Sequence, residues 1–181
     1  MCRRFKSVLD HIKKPRFNEA GFFAFPPDLS NTMIISTLKE LYLRDLNRVK
    51  TEIQSYQHPE NIWKLAHQIP NTAGNLCLHL VGNLNTFIGA ELGNTGYIRH
   101  RELEFSLKDV PRDVMIRQLD DTLQMIAAVM DSLSDDVLAK EYRIQVFDHP
   151  MTTGYFLVHL ATHLSYHLGQ INYHRRLLDL P

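Results

Sequence analysis

Ten histidines are spread through this 181-residue chain, and four of them, His159, His163, His167 and His174, crowd into one stretch near its end. An α-helix turns roughly 100° per residue, so His163 and His167, four apart, project from one face a turn apart. Their imidazoles can then approach a common ion, as paired helical histidines do when they ligate zinc. His159 continues the spacing, but three successive positions of this kind span about 12 Å along the helix, too far for one ion. Spacing therefore asks for a pair from this helix and a partner from elsewhere.

His79 is the candidate partner. It lies between Leu76, Leu80 and Leu84, on or beside an apolar stripe, and should point into the interior, where a polar ring is costly unless it is paired. Asn75 and Asn83 flank it at minus four and plus four. Those amides form a polar ridge that either hydrogen-bonds a ligand's second nitrogen or a substrate, or faces solvent. Three neutral ligands with one open position are a common arrangement for catalytic zinc, where a bound water becomes hydroxide near neutral pH. Imidazole alone does not choose among zinc, nickel and ferrous iron; zinc is the expected divalent ion, with nickel and iron as alternatives.

The elements that must carry these residues are helices. From Thr32 to about Tyr56, Ile34, Leu38, Leu41, Tyr42, Leu46, Val49 and Ile53 recur at steps of three and four, with charged residues largely on the other face. Ile69, Pro70 and Asn71 precede a second helix reaching about Leu92, which Gly93, Asn94, Thr95 and Gly96 end. A third helix follows Pro111 and runs to about Ser132, and a fourth follows Thr152 and Thr153 and runs to about Leu178. The predicted class is all-α. Two connections are long: the charged segment 97–110, a candidate for lining a site or making a subunit contact, and 134–150, with a short predicted strand at Tyr142 to Phe147. Residues 1–31 lack sustained periodicity and read as a poorly ordered extension; residues 32–181 read as one folded domain.

Bulk composition narrows the function classes. Lys plus Arg and Asp plus Glu both total 20, so the basic surplus of a nucleic-acid binder is missing. Apolar runs stop well short of the roughly 20 residues a membrane-crossing helix needs. The N-terminal segment lacks the apolar core of a secretion signal. With only Cys2 and Cys77, a disulfide framework is not expected, which suits a cytoplasmic protein. The expected partner is a small-molecule substrate, with no nucleic acid and no membrane.

The nine residues His163, Leu164, Ser165, Tyr166, His167, Leu168, Gly169, Gln170 and Ile171 resemble the last-helix signature of the DinB-like superfamily of metalloenzymes. The run Leu78 to Leu84, with Arg101 to Phe105, resembles an uncharacterised branch of it, of the DUF1572 type, and the resemblance covers roughly residues 32 to 178. It implies a DinB-like four-helix bundle with long connections, a divalent ion held by His79, His163 and His167, and a homodimer. Characterised relatives include transferases and isomerases that use low-molecular-weight thiols such as bacillithiol or mycothiol. The implied activity is therefore a metal-dependent thiol S-transferase acting on small electrophiles, its thiol arriving from solution rather than from Cys77. A metal-dependent hydrolase is one alternative, requiring Glu40, Asp45 or a loop Glu to approach the histidines in space. A non-catalytic metal-binding stress-response bundle is the other. No residue is assigned a catalytic role. His159 lies outside the pattern and is expected in a supporting or pocket-lining position, and Gly169, inside a helix, is expected where another backbone comes close.

Overall fold

Tyr42, Leu46, Val49 and Ile53 are fully buried along one side of helix α1 (Thr32–Gln54), the side that the three-and-four spacing marks out. Each such large apolar side chain contributes roughly 1.5–3 kcal/mol when removed from water. The structure, a computed structural model, describes residues 32–65 and 69–180; the predicted extension at 1–31 lies outside the described residues. After a 3-10 turn at Pro59–Trp63, helix α2 (Ala73–Leu84) starts on Thr72, whose hydroxyl accepts from the Asn75 backbone N–H at 3.0 Å. All twelve residues of α2 are buried, so this is the helix that the others surround.

Helix α2 does not stop at Leu84 but widens into a π-helical stretch, Asn85–Ala90, and ends in a last turn, Glu91–Gly93. Side chains compete there with the backbone ladder. Asn85 Nδ2 donates to the Val81 carbonyl at 2.9 Å and Thr86 Oγ1 to the Gly82 carbonyl at 2.7 Å. Asn94, in the left-handed region at φ 49°, closes the segment.

Helix α3 (Arg101–Ser106) lies inside the long charged connection, α4 (Arg112–Ser132) follows Pro111 as expected, α5 (Asp136–Ala139) is a single turn, and α6 (Thr153–Leu178) is the last and longest. Helix α1 packs on α4 and α6, while α2 packs on α3, α4 and α6. Lys39 meets Asp131 and Lys50 meets Asp120, so α1 and α4 are antiparallel. The pairs Tyr42 with Leu157 and Glu52 with Arg175 make α1 and α6 parallel.

The fold class is all-α, with no strand among the described residues. The predicted strand at Tyr142 to Phe147 is therefore corrected: one isolated bridge, Glu141 to Thr152, is all the pairing there. Side chains anchor this segment instead. Tyr142 donates its hydroxyl to the Phe87 carbonyl at 2.6 Å and packs on the Phe156 ring, and Arg143 pairs with Glu91. With no neighbouring strand to share a ladder, alternation alone does not make a strand. No helix among the described residues is long and apolar enough to cross a membrane.

Candidate metal centre

His79 is buried on α2, and His163 and His167 are half-buried on α6, where the two helices meet. The three rings are packed edge to face, with centroids 5.1 Å apart for His79 and His163, 5.2 Å for His79 and His167, and 4.4 Å for His163 and His167. Their Nε2 atoms converge: His163 Nε2 lies 3.3 Å from that of His79 and 3.0 Å from that of His167. One ligand atom from each residue lies within 4.8 Å of the other two.

The opposite edges of the rings decide which nitrogen is free to bind. His79 Nδ1 sits 2.9 Å from Glu104 Oε2, an acceptor, so this nitrogen carries the proton and Nε2 carries the lone pair. His167 Nδ1 sits 2.6 Å from Gln170 Oε1, with the same consequence, and Gln170 Nε2 in turn donates to the Tyr166 hydroxyl at 3.2 Å. Two lone pairs thus face His163 Nε2. One ring proton on that atom can satisfy only one of them, whereas a cation satisfies all three nitrogens together. Tetrahedral zinc with bonds of about 2.0–2.1 Å spaces its nitrogen ligands by about 3.3 Å, close to the separations found. The donor set fits a divalent ion.

Burial supports the neutral rings that ligation needs. It pushes His163 down to about 4, helped by the neighbouring His167 and His79, and it lowers His167 against the opposing hydrogen bond to Gln170. Glu104 behaves oppositely. Burial resists its ionisation, but hydrogen bonds from His79 and Arg99 and the charge of Arg99 outweigh that and hold the carboxyl below its usual range.

Arg99 has no role in the sequence reading, and Glu104 is the loop Glu expected to approach the histidines, here holding a ring rather than serving as a base. Arg99 grips the carboxylate with both arms, Nε to Oε1 at 2.6 Å and Nη2 to Oε2 at 2.9 Å, and lies over the Phe87 ring at 5.7 Å. Asn75 pins the segment by donating to the Glu104 and Leu107 carbonyls at 3.0 and 2.9 Å, so one of the two ridge amides positions a loop rather than a ligand. Gly82 opens the space: a Cβ there would lie 2.1 Å from Glu104 Oε1. A glycine inside a buried helix, three residues from a candidate ligand, was the available signal.

Other expectations separate cleanly. His159 stays out of the cluster, stacked on Phe156 at 5.8 Å and edge-on to Phe147 at 5.0 Å, with its ring 6.2 Å from that of His163. Asp45 is taken by Arg44, and Glu40 lines a surface cleft with Lys39 and Asp131. Cys77 is buried and its thiol is pushed up to about 12, which leaves it unreactive. The reading of Gly169 is corrected: the position is exposed, and a Cβ would meet nothing within 4 Å, so no backbone comes close.

Fold and site together define an all-α protein with three histidines gathered so that they could hold a metal ion. The chain belongs to the family described as Protein of unknown function (DUF1572), whose model matches residues 33–179. No curated protein matches the chain.

Proposed function

We propose that this chain is a metal-dependent enzyme of the DinB-like superfamily, built as that superfamily's four-helix bundle, with zinc as the resident ion on His79, His163 and His167. Its proposed activity is transfer of a low-molecular-weight thiol onto small electrophiles, as a homodimer in the cytoplasm. The observation that carries the reading is the convergence of three Nε2 atoms whose two outer rings are fixed, by Glu104 and Gln170, in the tautomer that ligates. Three protein ligands leave a tetrahedral ion one position for an exogenous group.

A cation held by His79, His163 and His167 would supply the charge that lowers a thiol's pKa and favours the thiolate, the competent nucleophile. The chain's own residues do the positioning. Arg99 holds Glu104, Glu104 holds the His79 ring, Gln170 holds His167, and Phe105 packs on His79 at 5.1 Å and screens it from water. The hydrolase alternative gains nothing from Glu104. Both of its oxygens are engaged by Arg99 and His79, so it is not free to act as the general base that metal-assisted hydrolysis wants.

Two measurements test the reading. Elemental analysis of the purified protein should find about one divalent ion per chain. A screen with monochlorobimane and bacillithiol, mycothiol, glutathione or cysteine should then show conjugation, the sulfur displacing chloride, that a chelator abolishes. Stoichiometric metal without chelator-sensitive turnover would favour the non-catalytic bundle, and protein devoid of metal would sink both.

A further inference from the structure

Two of the three clustered histidines have their outer nitrogen held by a side-chain oxygen, and the third does not. His163 Nδ1 is buried and has no hydrogen-bond partner among the described residues. When Nε2 of a neutral imidazole ligates a metal, Nδ1 must carry the proton, so this atom becomes a buried donor in need of an acceptor. An acceptor in the converse position lies on the facing helix. Asn83 is only 7% exposed, and its Oδ1 is likewise buried without a partner among the described residues.

The antiparallel packing of α2 on α6 sets Asn83 within about one helical turn of His163. Asn83 stands one turn beyond His79 on α2 and one turn before Phe87. His79 meets His163, and Phe87 meets Phe156 with ring centroids 5.2 Å apart. Asn83, between them, is therefore directed at the α6 segment that begins at Phe156 and ends at His163. Burying a donor and an acceptor unpaired costs far more than pairing them through an ordered water, which needs only two to four polar partners.

We infer that Asn83 is the positioning residue for His163, its Oδ1 accepting from one buried water that in turn accepts the His163 Nδ1 proton. Each ring of the cluster is then fixed by its own side-chain oxygen: His79 by Glu104, His167 by Gln170 and His163 by Asn83 through water. The inference rests on the metal reading above and assigns the one ring that reading leaves unanchored.

The experiment compares the full chain with Asn83→Leu and Asn83→Asp. Leu is close in size but offers no acceptor, and Asp restores one. Zinc affinity is read by competition with a chromogenic chelator, metal-free stability by urea unfolding, and the His163 ring proton by long-range nitrogen-proton NMR on zinc-loaded, histidine-labelled protein. Asn83→Leu should bind zinc roughly 10 to 100 times more weakly, the usual effect of losing an outer partner. Its metal-free form should still unfold cooperatively, at a urea midpoint no higher than that of wild type, because the bridged His163 nitrogen has lost its acceptor. Its His163 ring proton should exchange with water at least about tenfold faster, and Asn83→Asp should recover both zinc affinity and slow exchange.

Wild-type zinc affinity in Asn83→Leu, or a ring proton as protected as in wild type, would overturn the assignment while leaving the metal centre standing. Wild-type protein that fails to bind zinc would overturn both. Should Asn83→Leu not fold, Asn83→Ala replaces it in the same comparison with Asn83→Asp.

Discussion

Helix α6 carries two buried histidine environments two turns apart, and they resolve the same chemistry in opposite ways. At His174 both nitrogens are satisfied from within the fold: the Tyr56 hydroxyl meets Nδ1 at 2.7 Å and Nε2 donates to the Lys64 carbonyl at 2.9 Å. At His163 and His167 the Nε2 atoms face each other and His79, with lone pairs in excess of protons. Burial lowers the pKa of all three rings, so a depressed pKa does not separate a ligand from a core histidine. What separates them is whether each nitrogen has an oxygen to meet.

The sharpest way to break the comparison is to remove one ring from each environment. His163→Ala should take metal content from about one ion per chain to near zero by elemental analysis, while His174→Ala should leave it unchanged. If both variants kept the ion, the cluster would not be its site. A step smaller, Glu104→Gln should weaken metal binding roughly 10- to 100-fold without abolishing it, since it loosens the His79 ring but keeps the ligand. Gly82→Ala should act in the same direction by pushing Glu104 aside, and titration with a competing chelator reads both.

His174→Ala has its own signature. Leaving the Tyr56 hydroxyl and the Lys64 carbonyl without their partner should cost about 1–3 kcal/mol, seen as a lower urea midpoint. The pH dependence follows from the sign of the shift. The folded state holds His174 neutral below the value near 6.5 at which the unfolded chain titrates, so the unfolded state takes up the proton first and stability falls with pH below that point. Chelated wild-type protein should therefore lose more stability between pH 7.5 and 5.5 than chelated His174→Ala; equal slopes would remove His174 from the account. The smallest effect is Gly169→Ala, which should leave metal content alone and raise stability by up to about 1 kcal/mol, because the exposed helical site has room for a methyl group.

Much of this was legible in the residues themselves. The long helices follow from apolar spacing; i, i+4 spacing narrowed the last helix to a pair among His159, His163 and His167, and the family resemblance chose His163 and His167 with His79. Spacing could not tell His174 from His167, seven residues away on nearly the same face, because the distinction lies in Tyr56 and Lys64, more than a hundred positions distant. That the approaching loop Glu would be Glu104, and would hold the His79 ring, was hidden for a similar reason. A charged connection reveals its own polarity but not the helix it docks on, and that docking depends on Asn75 and Gly82 far upstream. The misread strand and the misread glycine share this origin: pattern describes a segment, whereas neighbours decide what becomes of it.

His79 and His163 are 84 residues apart along the chain. An ion shared between them would act as a clasp across nearly half the polypeptide, to be undone before α2 and α6 can part. Its mark would then be kinetic as well as thermodynamic, with the metal-loaded protein opening slowly and chelation shortening the lifetime of the folded state.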